Sequence, residues 1–81
     1  MELVVARIGA PHGLQGMARL EVRTDDPAAR LAPGTVLTTD PAERGPLTVA
    51  ASTRRGESWY ARFAEAPDRT AVEQLRGTLL L

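Results

Sequence analysis

An 81-residue chain that is 43% hydrophobic is one domain, and on folding it buries roughly 60% of its unfolded surface in one modest core. It has no cysteine, which excludes a disulfide framework and a thiolate metal site and points to a reducing compartment. Ten basic residues, all arginine, balance ten acidic ones, so a generic electrostatic grip on RNA or on a membrane is not supported, and no apolar run is long enough for a signal peptide or a membrane span.

The first predicted element is LVVARIG, where Val4, Ala6 and Ile8 share one side of a strand. It runs into IGAPHGLQGMARLEV, residues 8–22, with glycines at 9, 13 and 16, a proline at 11 and the chain's single histidine, His12. Pro11 fixes one backbone angle and Gly13 and Gly16 permit positive ones, so this stretch is a sharp turn between strands. The second strand, GMARLEVR, points Ala18, Leu20 and Val22 one way and Met17, Arg19, Glu21 and Arg23 the other. Thr24, Asp25 and Asp26 read as a turn before Pro27, because Asp hydrogen-bonds its own downstream backbone. Pro33-Gly34 turns the chain into a strand at 35–39. Leu47, Val49 and Ala51 then share a side of a strand over 46–55, as do Trp59, Ala61 and Phe63 over 58–64, and the RGE turn at 55–57 joins the two as a hairpin. After Pro67 the pattern becomes helical: Asp68 or Thr70 starts it, Glu73 follows Thr70 as in a capping box, Val72 and Leu75 share a face, and Gly77 ends it. TLLL at 78–81 is the last strand.

Short strands with turn signals every eight to twelve residues predict an all-β fold: a small six-stranded antiparallel barrel with one short helix before the last strand, a single domain over 1–81. Closure removes the edges that an open sheet would leave. The apolar ending Leu79-Leu80-Leu81 predicts that the chain stops at a domain boundary within a longer protein.

The glycine-rich stretch fails as a nucleotide loop. A dinucleotide fingerprint needs Gly-x-Gly-x-x-Gly between a strand and a helix; here the spacing differs, Pro11 interrupts, and a strand follows. A Walker loop needs a lysine that the chain lacks. His12 has no evident nucleophile or orienting partner, so it reads as a turn residue. No metal site and no cofactor is predicted, because one histidine without cysteines would need clustered acidic ligands.

Three surface features remain. Arg54 and Arg55 with Arg62 on the partner strand form either an RNA-phosphate patch or, the reading favoured here, a solvated hairpin face neutralised by Glu57 and Glu65. Trp59 and Phe63 have core parity, which leaves only Tyr60 free to stack and argues against an aromatic RNA platform. Leu14, Met17, Leu31 and the C-terminal leucines either contact a protein or plug the barrel ends.

The order R-I-G-A-P-H-G-L-Q-G-M-A-R-L-E-V resembles the N-terminal signature of the bacterial ribosome maturation factor RimM family, an Ile-Gly-x-x-His-Gly-x-x-Gly pattern near the start. The resemblance continues through Thr24-Asp25 and Pro27, Pro33-Gly34, Phe63, Asp68-Arg69 and Leu75-Arg76-Gly77. It implies a translation-factor-like barrel followed, in the full-length protein, by a C-terminal PRC-barrel domain that is absent from these 81 residues. It also implies a non-enzymatic, cytoplasmic factor that binds the small ribosomal subunit precursor, contacts head protein S-nineteen and assists maturation of 16S rRNA. On this reading His12, Gly13, Leu14, Met17, Leu79, Leu80 and Leu81 are the expected protein contacts, and Arg19, Arg54 and Arg62 are secondary rRNA contacts. The other expected partner is the chain's own C-terminal domain, and a monomer is expected. The alternatives are a direct RNA-binding barrel and a module that only supports the C-terminal domain.

Overall fold

In the computed structural model, which describes residues 3–13 and 16–81, the two strands flanking the glycine-rich turn form an antiparallel hairpin, β1 (Ala6–His12) with β2 (Met17–Val22). The predicted strand at 35–39 is split into β3 (Val36–Leu37) and β4 (Thr39–Asp40). The long hairpin is β5 (Leu47–Arg55) with β6 (Ser58–Phe63), and β7 (Leu79–Leu80) ends the chain. The hydrogen-bonded order is β3-β5-β6-β2-β1-β7-β4. Since β3 and β4 are separated only by Thr38, one short run pairs with β5 through Leu37↔Leu47 and with β7 through Thr39↔Leu80. That double use nearly closes the barrel and makes seven strands, among the described residues, from the six predicted runs.

Inside lie Val5, Ile8, Leu31, Leu47, Val49, Phe63, Val72 and Leu80, all fully buried. Val5, not the expected Val4, faces in. It precedes the regular pairing that begins at Ala6↔Val22, and its carbonyl accepts the N–H groups of both Arg23 and Thr24 (2.9 and 3.1 Å), so alternation does not extend back to it. The turn expected around Pro27 is a single helical turn, α1 (Pro27–Arg30), with proline at its first position and the Asp26 carboxylate accepting from the Ala29 N–H. It delivers Leu31 into the core, which settles Leu31 as a plug.

The predicted helix is α2 (Arg69–Gln74). Its cap is Asp68, whose Oδ1 accepts the Ala71 N–H at 2.8 Å. Val72 is buried and Leu75 packs against the core. Arg44 ties the far side together, donating to the hydroxyl of buried Thr78 at 3.0 Å.

Glu65 clamps the start of β5, accepting the Thr48 N–H at 2.7 Å and the Thr48 hydroxyl at 2.8 Å. The backbone N–H of Thr48 is the main cause that holds this carboxyl below its ordinary value of 4.5, while desolvation works the other way and the Thr48 hydroxyl adds to the lowering. A carboxyl lowered by folding stabilises above its unfolded pKa, and that contribution fades as pH falls through the folded value. The difference in Tm between the wild type and Glu65→Gln is therefore expected at pH 7 and should narrow below pH 4.5. Thermal melts across pH 2–7 check this, and a difference that does not change with pH would refute it.

Candidate functional site

Two β-bulges decide which side chains reach the outer face of the β1–β2–β6–β5 sheet. In β1 the pairing runs Arg7↔Glu21 and Ile8↔Leu20, then resumes at Pro11↔Ala18 and His12↔Met17, so Gly9 and Ala10 together stand opposite Arg19. One extra residue exchanges inward and outward positions beyond it. Unbroken alternation from buried Ile8 would send His12 inward; the bulge places it outside, opposite Met17. Gly9 suits the tight part of this bulge, because a Cβ there would sit 3.1 Å from the Arg19 carbonyl oxygen.

The second bulge lies in β5, where Val49↔Phe63 is followed by Ala51↔Arg62. Ala51, expected beside Leu47 and Val49, therefore turns to the outer face. Arg54 moves to the inward parity opposite Trp59, and its Nε donates to the Gly56 carbonyl at 2.8 Å. Arg54 does not join Arg62 as predicted; Arg55, opposite Ser58, is the arginine that shares its face.

The outer positions then bring together His12, Met17, Arg19, Ser58, Tyr60, Arg62, Thr53 and Arg55, with Arg19↔Tyr60 and Thr53↔Tyr60 forming one row across three strands. The His12 and Tyr60 rings meet over β2, centroids 4.5 Å apart and planes inclined at 35°. Met17 and Tyr60 are half-buried, while His12, Arg19, Arg55 and Arg62 are exposed. Trp59 packs against the core, in keeping with its parity.

Charge is segregated here although the chain is neutral overall. On β1, β2, β6 and β5 the outer positions carry Arg7, Arg19, Arg55 and Arg62 against one acid, Glu21, which pairs with both Arg7 (3.7 Å) and Arg23 (3.1 Å). Among the described residues Arg19, Arg55 and Arg62 make no ion pair or side-chain hydrogen bond. The neutralisation expected from Glu57 and Glu65 is not seen: Glu65 is committed to Thr48, and Glu57 forms no ion pair among the described residues.

The expected protein-contact set divides. His12, Gly13 and Met17 lie at the turn end of β1 and β2; Leu14 lies outside the described residues. Leu80 is fully buried between Ala6 and Thr39 and presents no surface, because its position in β7 has inward parity. Leu79 and Leu81 are half-buried, Leu79 opposite Arg7 at the other end of β1, so they do not gather with His12. Sequence reasoning missed the His12–Tyr60 pair and did not separate Arg55, which shares the face of Arg62, from Arg54, which does not. The available signal was Gly9 inside a strand pattern, which marks a bulge.

Among the described residues no three His, Cys, Asp or Glu side chains are grouped to hold a metal ion, and no helix is long and apolar enough to cross a membrane. The model of the RimM N-terminal domain matches residues 3–81. The chain belongs to the RimM family. Among RimM relatives, it is 56% identical to the ribosome maturation factor RimM of Kineococcus radiotolerans over 81 residues, all of this chain and 46% of that protein. It is 53% identical to those of Thermobifida fusca and Streptomyces coelicolor, again over the whole chain and over 48% and 43% of theirs. The chain thus spans about half the length of these relatives. The solution structure of the N-terminal domain of RimM from Thermus thermophilus has the same fold, with a TM-score of 0.75 over 96% of this chain and 84% of that one at 24% identity.

Proposed function

We propose that this chain is a non-catalytic ribosome-assembly domain that docks on the precursor of the small ribosomal subunit and assists maturation of 16S rRNA in the cytoplasm. The observation that supports it is the outer sheet face, where unpaired Arg19, Arg55 and Arg62 accompany His12, Met17 and Tyr60 on a domain with no net charge. The relatives' name, ribosome maturation factor, supplies the setting. Such a factor works by differential affinity, holding an immature conformation and leaving once mature contacts form. In this reading head protein S-nineteen meets the turn end of the face, at Gly13 and Met17, and a C-terminal PRC-barrel domain follows in the longer protein as a second contact with the subunit.

The test is co-sedimentation of the 81-residue chain with small-subunit precursor particles and with mature small subunits. Retention on the precursor that is at least severalfold greater than on the mature particle is the expected result. Equal retention on both, or none on either, would overturn the reading.

A further inference from the structure

We infer that the outer face of β1, β2, β6 and β5 seats an unpaired RNA strand, with one base stacked beside the His12–Tyr60 pair and flanking phosphates held by Arg19 and Arg62. This rests on the docking face proposed above and names what the face takes.

Three observations point the same way. First, the face carries arginines that no ion pair engages: Arg19, Arg55 and Arg62 have no acidic partner among the described residues, Glu57 lines the same cleft as Arg19 without pairing with it, and Glu21 is already engaged by Arg7 and Arg23. Clustered arginines bind phosphate whatever the net charge of the chain. Second, the aromatic group is displayed instead of packed away. Tyr60 is half-buried and its ring is braced by exposed His12 at 4.5 Å, and a braced, outward-facing ring offers the π-face on which an unstacked base lies. Third, the arginines frame the ring. Arg19 stands opposite Tyr60 on the next strand and Arg62 lies two residues along β6, about 5 and 7 Å away in backbone terms. A duplex keeps its bases stacked inside, so it can use the arginines but not the ring. An acidic protein segment would likewise use the arginines and leave Tyr60 with no specific role.

The experiment measures fluorescence anisotropy of a labelled single-stranded RNA octamer, and of a blunt RNA duplex of the same sequence, titrated with the 81-residue chain between 50 and 200 mM salt. The octamer is expected to bind at least tenfold more tightly than the duplex, with a log–log salt slope of about −1.4 for two phosphate contacts. Tyr60→Leu should weaken octamer binding about tenfold, and Tyr60→Phe, which keeps the ring, should restore it. Arg62→Ala should reduce the salt slope by about 0.7, whereas Arg30→Ala, on α1, should change neither affinity nor slope. Circular dichroism melts of each variant confirm the fold. Equal affinity for octamer and duplex, or a folded Tyr60→Leu that binds like the wild type, overturns the seat. Should the chain co-sediment with the precursor yet bind neither RNA, the assembly reading stands, this inference falls, and the face contacts protein.

Discussion

Replacing Gly16 with alanine is expected to destabilise the domain by about 2–4 kcal/mol, measured by urea denaturation. Two independent costs combine there. Gly16 has φ +71°, a left-handed conformation that costs a residue with a side chain roughly 1 kcal/mol or more. It is also buried against the chain leading into α2, and a Cβ would lie 2.9 Å from the Pro67 carbonyl oxygen and 3.1 Å from the Asp68 Cα. Those atoms cannot withdraw cheaply, because Asp68 is fixed by its bond to the Ala71 N–H. Gly13 separates the two costs. Its φ is +72°, but nothing lies within 4 Å of an added Cβ, so Gly13→Ala should cost only about 1 kcal/mol. A domain of this size has a total stability of roughly 4–12 kcal/mol, so the first substitution is severe and the second tolerable. Equal losses at the two sites would show that packing against residues 67–68 is not what requires glycine at 16.

This contrast shows what kind of information the sequence carries. That Gly13 and Gly16 take positive φ was readable from a turn between two alternating runs, since local backbone sterics set it. That Gly16 alone is hemmed in by Pro67 was not, because the contact joins residues about fifty apart. The same division runs through the fold. Alternation located β2 and β6, whose inward residues Ala18, Leu20, Ala61 and Phe63 are buried as expected. Helical spacing and an acidic cap located α2. The short elements were less legible: α1 is one turn long, below the length at which periodicity is detectable, and β3 and β4 read as one strand because pairing partners, not residue pattern, divide them.

The candidate site was legible as a list but not as a face. Arg19, Met17 and Arg62 follow directly from strand parity. His12 and Arg54 do not, because each lies beyond a bulge that inverts parity, and a single inserted residue is invisible to a count of apolar positions unless a glycine marks it. Gly9 marks the bulge in β1. The one in β5 falls in Ala50-Ala51, where the side chains are too alike to show which of them turned. The error was therefore to keep Arg54 in the group of Arg55 and Arg62 and to treat Tyr60 as a lone aromatic, when three-dimensional register leaves Arg62 with Arg55 alone and gives Tyr60 the company of His12.

Deleting Gly9 and Ala10 together turns this into a decisive test of the bulge, because deleting Ala10 alone leaves Pro11↔Ala18 and His12↔Met17 in place and serves as the control. With both residues gone, β1 is one residue short of its partner, and one half of the strand has to exchange faces. If the first half holds its register, Pro11 faces outward and His12 is forced toward the core opposite Ala18, where an imidazole without a hydrogen-bond partner costs roughly 1–3 kcal/mol. If the second half holds, Ala6 and Ile8, both at 0% exposure, turn to solvent, and losing burial of Ile8 alone costs about 1.5–3 kcal/mol. Either route should destabilise the domain by several kcal/mol. The diagnostic readout is local: nuclear Overhauser contacts between the His12 and Tyr60 rings, present in the wild type, should vanish if the first half holds its register, and octamer binding should fall as in Tyr60→Leu. If the second half holds, ring contacts persist while Ile8 loses its contacts with the core. A double-deletion variant of wild-type stability that keeps both sets of contacts would mean that the outward position of His12 does not depend on the residues opposite Arg19.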